Sequence, residues 1–334
     1  MYLKFIEVLI LSVAVSSIKS QSQYSSQPSC QNYHVDPTTP SYTPPDLLPY
    51  SGASKGIGRA IALDLATRGC SILGTYSSPQ SAHNFDVLSH TISDLYRLPN
   101  EVQSQFPNPR AKPVALTLSL QSNTHDPNAN APKLKGVAAD ITSLASVGPV
   151  LSLIEHNFAN KIDILILNAA HNTRPQLGQA SASDIEKSLV GNLQWPIVLV
   201  ENLVRHAVFN ANSRIVTLSS DYVRDPSVGS ALFSATKTGL EALVRSWALE
   251  LPLTFPGTTV NAVSVGITNT PGLQAFSAVE KERVRKVKVV EGGRMGCAED
   301  VADVVGFLVS DKARWVTGSV VGANGGGEWV GGSS

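Results

Sequence analysis

The stretch Ser51-Gly52-Ala53-Ser54-Lys55-Gly56-Ile57-Gly58-Arg59, continued by Ala60-Ile61-Ala62-Leu63-Asp64-Leu65-Ala66-Thr67-Arg68-Gly69, decides the reading of the fold. Its second half carries apolar residues at helical spacing and predicts an amphipathic helix closed by Gly69. Three glycines just ahead of that helix let backbone approach a pyrophosphate closely, and the helix start offers unpaired N–H groups and a positive dipole end. A dinucleotide fits there. Glycine spacing alone also occurs in ordinary turns, so the reading depends on the rest of the chain.

Downstream lies a train of short apolar runs. Cys70 to Tyr76 reads as a second buried strand and Gly136 to Asp140 as a third. Ile162-Asp163-Ile164-Leu165-Ile166-Leu167 ends in the polar turn Asn168-Ala169-Ala170, as a buried parallel strand does, and Arg214 to Ser220 repeats the pattern. Helical patterns lie between them at Val147–Phe158, Asp184–Phe209 and Lys237–Leu251. This alternation predicts an α/β fold, a Rossmann-type doubly wound parallel sheet covered by helices on both faces.

Composition agrees and excludes other classes. The 334 residues are 43% apolar and 16% charged, enough for a large core. Twenty-six basic residues balance 26 acidic ones with no long basic run, so nucleic acid is not an expected partner. Cys30, Cys70 and Cys297 stand far apart, without the paired spacing of a zinc site or a disulfide framework, and no metal is expected. There is no Gly-x-Ser-x-Gly elbow, His-Glu-x-x-His or Walker loop.

The N-terminal part reads differently. Lys4 and the apolar stretch Phe5–Val15, interrupted by Glu7, resemble a weak signal peptide, and Gln21–Pro45 is rich in Ser, Gln, Pro and Tyr without a hydrophobic period. No Asn-x-Ser/Thr sequon accompanies it, so the expectation is a cytoplasmic protein, with the secretory pathway as the alternative if residues 1–20 act as a signal. The first strand should stand just before Gly52, yet Asp46–Ser51 is short and carries Pro49, which a central strand does not easily accept. Residues 1–48 are therefore read as a leader, acquired or misassigned, and 49–334 as the single folded domain. The segment Ser77–Pro132 is expected to hold one helix, about Asp86 to Leu98, and an irregular excursion.

From about residue 46 to the C-terminus the chain resembles the short-chain dehydrogenase/reductase family, in particular its NADP-dependent 3-oxoacyl reductase-like members. The resemblance rests on Gly52-x-x-x-Gly56-x-Gly58, Asp140, Asn168-Ala169-Ala170, Asn192, Ser220, Lys237, Asn261 to Gly266, Gly293 to Gly296 and Asn324-Gly325-Gly326. It implies an oxidoreductase that transfers hydride to a small or medium organic carbonyl or related unsaturated compound. The turn around Gly52, Ser54, Lys55, Gly56, Ile57 and Gly58 would hold the pyrophosphate. Asp140 and Ile141 would flank the adenine, Asn168 and Ala169 the ribose, and Gly266, Ile267 and Thr270 the carboxamide; Val265 replaces the family's usual proline. Two long helices, Asp184–Phe209 and Leu232–Leu251, imply a homodimer or homotetramer.

The end of the second strand, Gly74-Thr75-Tyr76-Ser77-Ser78, has no acid to grip an adenosine ribose and repel a 2′-phosphate. Hydroxyls of Tyr76, Ser77 and Ser78, with Lys55, favour NADPH over NADH. Among the residues that carry the chemistry, the resemblance assigns Ser220, Lys237 and Asn192, but the position of the family's tyrosine is Phe233. Ser220 precedes it by 13 residues, the interval seen in similar proteins, and Phe233-Ser234-Ala235-Thr236-Lys237 keeps the lysine, so the register holds. Losing the phenol removes a general acid that contributes roughly 10²–10⁴ in rate. Three readings stay open: a proton from Tyr222 or a lysine-bound water, a substrate that needs hydride more than a proton, or a nucleotide-binding pseudoenzyme with a regulatory role. His171 borders the expected site, and Pro271–Val290 is the expected substrate-facing segment.

Overall fold

The structure is a computed structural model that describes residues 7–11, 55–97, 132–270 and 294–327. Among the described residues, seven strands form one parallel sheet: β1 (Glu7–Leu11), β2 (Ser71–Tyr76), β3 (Leu134–Ala138), β4 (Ile162–Leu167), β5 (Phe209–Ser220), β6 (Thr259–Val265) and β7 (Val320–Ala323). Their order is β3-β2-β1-β4-β5-β6-β7, with every neighbour parallel. The order reverses between β1 and β4, the switch point at which open α/β sheets place their ligands.

The α-helices of the described residues lie between the strands: α1 (Gly56–Thr67), α2 (Ala82–Arg97), α3 (Val147–Asn157), α4 (Ala182–Leu189), α5 (Trp195–Arg205), α6 (Ala231–Thr254) and α7 (Ala298–Leu308). The sheet sorts its side chains by strand period. Ile164 and Ile166 join Ile61, Leu65, Leu88, Ile92, Val301 and Val305 on the α1/α2/α7 face. Leu165 and Leu167 join Val150, Ile154, Leu199, Leu203, Val244 and Leu251 on the α3/α5/α6 face. Both faces are apolar around β4, which is why its sequence reads as a continuous hydrophobic run. Among the described residues no helix is long and apolar enough to cross a membrane.

The structure corrects the reading of the N-terminal segment. Glu7–Leu11, assigned to a leader on the sequence, is the strand between β2 and β4, with Val8 level with Ile72 and Ile164. A short apolar run with one acid has the same composition in a signal segment as in a buried strand, and only pairing on both sides tells them apart. Asp46–Ser51, where the sequence suggests that strand, lies outside the described residues, as do Gly52, Ser54, the stretch Gln21–Pro45 and the segment Pro271–Val290. The long helical pattern Asp184–Phe209 is also divided: it runs as α4, a π-helical turn at Val190–Gln194 and α5, ending at Arg205, while Phe209 opens β5.

Candidate active site

The C-terminal ends of β4, β5 and β6 carry the residues singled out in the sequence. At the end of β5, Ser220 is buried and its Oγ accepts a hydrogen bond from the Tyr222 backbone N–H at 3.3 Å. One residue earlier Ser219 turns away and donates to Glu241 Oε1 at 2.6 Å. Glu241 in turn receives both Nη atoms of Arg224, at 2.9 and 2.7 Å, so a buried ion pair ties the β5 end to α6.

Helix α6 brings Phe233 and Lys237 to this point, one turn apart on the same face. The Lys237 ammonium donates to the Leu218 carbonyl at 2.6 Å and lies 5.6 Å from the centre of the Phe233 ring. Only 3% of Lys237 is exposed, and this burial pulls its pKa down from the usual 10.5 to about 8. Thr236, between them in sequence, donates its hydroxyl to the Phe233 carbonyl at 2.8 Å and accepts from Asn192 Nδ2 at 3.0 Å.

Asn192 sits in the π-helical turn, an extra residue in the helical ladder of the kind found at functional sites. It is 2% exposed and clamps the loop after β4: its Nδ2 donates to the His171 carbonyl at 3.0 Å and its Oδ1 accepts the His171 N–H at 2.7 Å. His171 contributes its backbone to this clamp, while burial, then the Lys187 charge, lowers the basicity of its ring. Asn192, Phe233 and Lys237 are thus gathered beside the β5 end that carries Ser220.

The positions that the resemblance assigns to a cofactor form a second group around the same edge. Lys55 is extended at the start of α1, where burial lowers its pKa, and Gly56 comes next with φ at +49°, a conformation that favours glycine. A Cβ on Gly56 would meet Thr270 at 3.7 Å, so the α1 start faces the loop after β6. Gly266 lies so close to Asn324 that a Cβ there would come within 2.6 Å of the Asn324 Cβ. Asp221 braces this crossing by accepting from Ser264 at 2.8 Å and Asn324 at 3.2 Å, with its pKa raised by burial. Gly296 closes against the same strand end through Asn269 N–H to Gly296 O at 2.7 Å and Gly296 N–H to Ile267 O at 3.0 Å.

At the β2 end the hydroxyls of Ser77 and Ser78 lie 3.5 and 3.4 Å from that of Ser81, at the start of the turn leading into α2. Tyr76 packs on Phe85 beside them. Asp140, at the end of β3, caps its own turn by accepting from the backbone and hydroxyl of Thr142, at 2.9 and 2.8 Å. Ile141 is buried in the core. Asn168 and Ala169 come directly after β4, and Ile57 and Gly58 open α1.

One group carries no mark in the sequence. Arg174, on the loop after β4, donates through Nη1 to the Tyr222 hydroxyl at 2.8 Å and through Nε to Asn172 Oδ1 at 3.0 Å. Its guanidinium lies 4.5 Å from the Tyr222 ring centre and 5.9 Å from that of Phe233, and the two rings meet edge to face at 6.5 Å. A lone arginine in a loop has no period or spacing to signal it.

Similar proteins share this architecture. A sequence model described as enoyl-(acyl carrier protein) reductase matches residues 114–328. The 3-oxoacyl-(acyl-carrier-protein) reductase of Escherichia coli is 30% identical, over 83% of this chain and 94% of its own length. A short-chain dehydrogenase/reductase of Cladobotryum is 29% identical, over 85% of this chain and 97% of its own. Among solved structures, a short-chain dehydrogenase of Burkholderia cenocepacia in complex with NADP is 25% identical, superposes with a TM-score of 0.65 and is covered to 95%, over 83% of this chain. With the ordered motifs, the parallel sheet and these relatives in agreement, the chain belongs to the short-chain dehydrogenase/reductase family.

Proposed function

We propose that the protein is an NADP(H)-dependent reductase acting on a small or medium organic carbonyl or a related unsaturated compound. The observation that carries this reading is the buried Lys237, held against the Leu218 carbonyl near Ser220, with Thr236 beside it bonded to Asn192. A lysine buried this deeply against a backbone carbonyl is an expensive feature to keep in a core, and it fits a role toward cofactor hydroxyls.

The residues fit a dinucleotide. Gly56 and the α1 start offer a close backbone approach for the pyrophosphate, and Gly266, Ile267 and Thr270 form the facing loop. The hydroxyls at Ser77, Ser78 and Ser81, with Lys55, suit a 2′-phosphate. Bound NADPH would supply a hydride; Lys237 and Asn168 would bind ribose hydroxyls, and Ser220 would donate to the carbonyl oxygen. The Burkholderia relative binds NADP and the Escherichia coli relative is a reductase, which favours catalysis over a purely regulatory role. Association as a homodimer or homotetramer is supported by Leu249 and Leu253 on α6 and by Trp315, all exposed. Light scattering showing a clean monomer at micromolar concentration would remove that part.

The test is a fluorescence titration with NADPH and NADH on the wild type and on Lys55→Glu. The variant should weaken NADPH and leave NADH nearly unchanged; equal loss of both, or no loss, defeats the cofactor assignment. A carbonyl substrate panel with NADPH then identifies the class reduced.

A further inference from the structure

Resting on the reductase reading, we propose that Tyr222 takes over the proton donation that Phe233 cannot perform, with Arg174 as the positioning residue that holds the phenol oxygen. Three observations converge. Tyr222 stands edge-on to Phe233 with ring centres 6.5 Å apart, so its phenol belongs to the same wall of the site as the ring at the acid's position. Its backbone N–H is bonded to Ser220 Oγ at 3.3 Å, which fixes it two residues from the hydroxyl expected at the carbonyl oxygen. Its own oxygen is not merely stacked upon: Arg174 Nη1 donates to it at 2.8 Å.

The last contact separates this group from ordinary aromatic packing. A guanidinium over two rings gains cation–π energy without reaching a hydroxyl. Here it does both, and a second bond from Nε to Asn172 sets the plane of the fork. The Arg174 backbone is fixed as well: Gly229, at φ +82°, packs against its carbonyl so tightly that a Cβ would lie 2.7 Å from the oxygen. The arrangement gives the phenol oxygen a cationic donor in place before any charge develops there.

The step balances. Bound NADPH would supply hydride to the carbonyl carbon, whose C=O π electrons would move onto oxygen. That oxygen takes the proton of the Tyr222 hydroxyl, leaving an alcohol and a phenolate. The phenolate charge sits 2.8 Å from Arg174 Nη1, where a charge-assisted hydrogen bond stabilises it until solvent returns a proton.

The experiment uses the full chain with 4-(dimethylamino)cinnamaldehyde, a dye whose absorption moves to longer wavelength when its carbonyl accepts a strong hydrogen bond. It is run without cofactor and with saturating NADP+, which cannot reduce the dye. The wild type should shift the band, Tyr222→Phe should cut the shift to the smaller one that the Ser220 hydroxyl alone supplies, Arg174→Met should weaken it and Arg174→Lys should recover most of it. In parallel, single-turnover reduction of 1-phenyl-1,2-propanedione by NADPH should fall by roughly 10²-fold or more in Tyr222→Phe, the range for a lost general acid. The same substitution placed on Phe233→Tyr should cost less than about twofold, because the restored phenol supplies the proton; a structural role for Tyr222 would cost the same in both backgrounds. A dye shift that Tyr222→Phe leaves unchanged, or a wild type that shows none, overturns the proposal. Failure of NADP+ to quench tryptophan fluorescence would instead sink the reductase reading, and the cofactor-free dye arm still reports on Tyr222.

Discussion

The two walls of the candidate site differ in kind although α6 builds part of both. On one, Asn192, Thr236 and Lys237 are buried, and their polar groups satisfy one another or nearby backbone carbonyls. On the other, Phe233 presents a bare ring, and the polar groups nearby, Tyr222 and Arg174, come from other segments of chain. The first wall is anchored to backbone carbonyls and cannot drift without orphaning a buried group. The second lacks one hydroxyl and lacks no packing, since a phenylalanine fills the volume of a tyrosine ring. Scaffold and acid are therefore separable properties of this site.

The largest effect that would sharpen this contrast is Phe233→Tyr. If the first wall has kept its geometry, the new phenol enters a ring-shaped space beside Lys237; placed on Tyr222→Phe, where no other phenol supplies the proton, it should raise reduction of a simple activated ketone by about 10²–10⁴, the range for a general acid. NADPH consumption measures it. A gain below tenfold with NADPH still bound would mean that the second wall has been remodelled beyond one hydroxyl.

Beneath both walls, Arg224→Met tests what holds them together. Glu241 is almost fully buried, and without Arg224 its carboxylate would keep the Ser219 hydroxyl but lose its cation. Breaking such a pair from one side costs about 3–5 kcal/mol, more than the pair contributes when intact. Denaturant midpoints should record this; a loss under about 1 kcal/mol would show that water reaches Glu241.

Lys237 gives a pH signature of the first wall alone. Its folded pKa of about 8 lies below the ordinary 10.5. Below pH 8 the folded and unfolded chains both hold the proton and the full burial penalty is present; between 8 and 10.5 only the unfolded chain holds it, so raising the pH favours folding. Relative to Lys237→Met, the wild type should gain on the order of 2–3 kcal/mol of stability from about pH 7 to about pH 10. Parallel pH curves for the two proteins would mean that the ammonium keeps its hydration in the fold.

Much of the fold and site is legible in the sequence, for reasons that differ by residue. Ile164 and Ile166 against Leu165 and Leu167 sort to opposite faces, and such an unbroken apolar run announces a parallel strand. Ser220, Phe233 and Lys237 stand out because the interval between a strand end and a helix start carries their resemblance to the family, whereas Asn192 rests on the resemblance alone. Spacing hides Glu7–Leu11, since residues 12–54 separate it from α1 and its composition equally suits a signal segment. The π-helical turn at Asn192 is invisible within a continuous helical period, since one extra backbone residue leaves no mark in composition. Arg174 acquires meaning only when the fold brings the β4 and β5 loops together.

The smallest predicted effect joins the two walls. Thr236 accepts from Asn192 Nδ2 on one side and donates to the Phe233 carbonyl on the other, so its hydroxyl is a direct polar path between them. Thr236→Val keeps the branched shape and removes only that path. Asn192 retains both bonds to the His171 backbone, so its amide loses one partner and not its position. The cost should be about 1–2 kcal/mol, the penalty for one buried donor left short of an acceptor, read as a lower denaturant midpoint at unchanged slope. NADPH affinity should move by less than about twofold, because Lys237 keeps its own anchor at Leu218. If affinity falls in step with stability, Asn192 and Lys237 are one coupled unit through Thr236, and the separation of scaffold from acid must be redrawn around α6 as a whole.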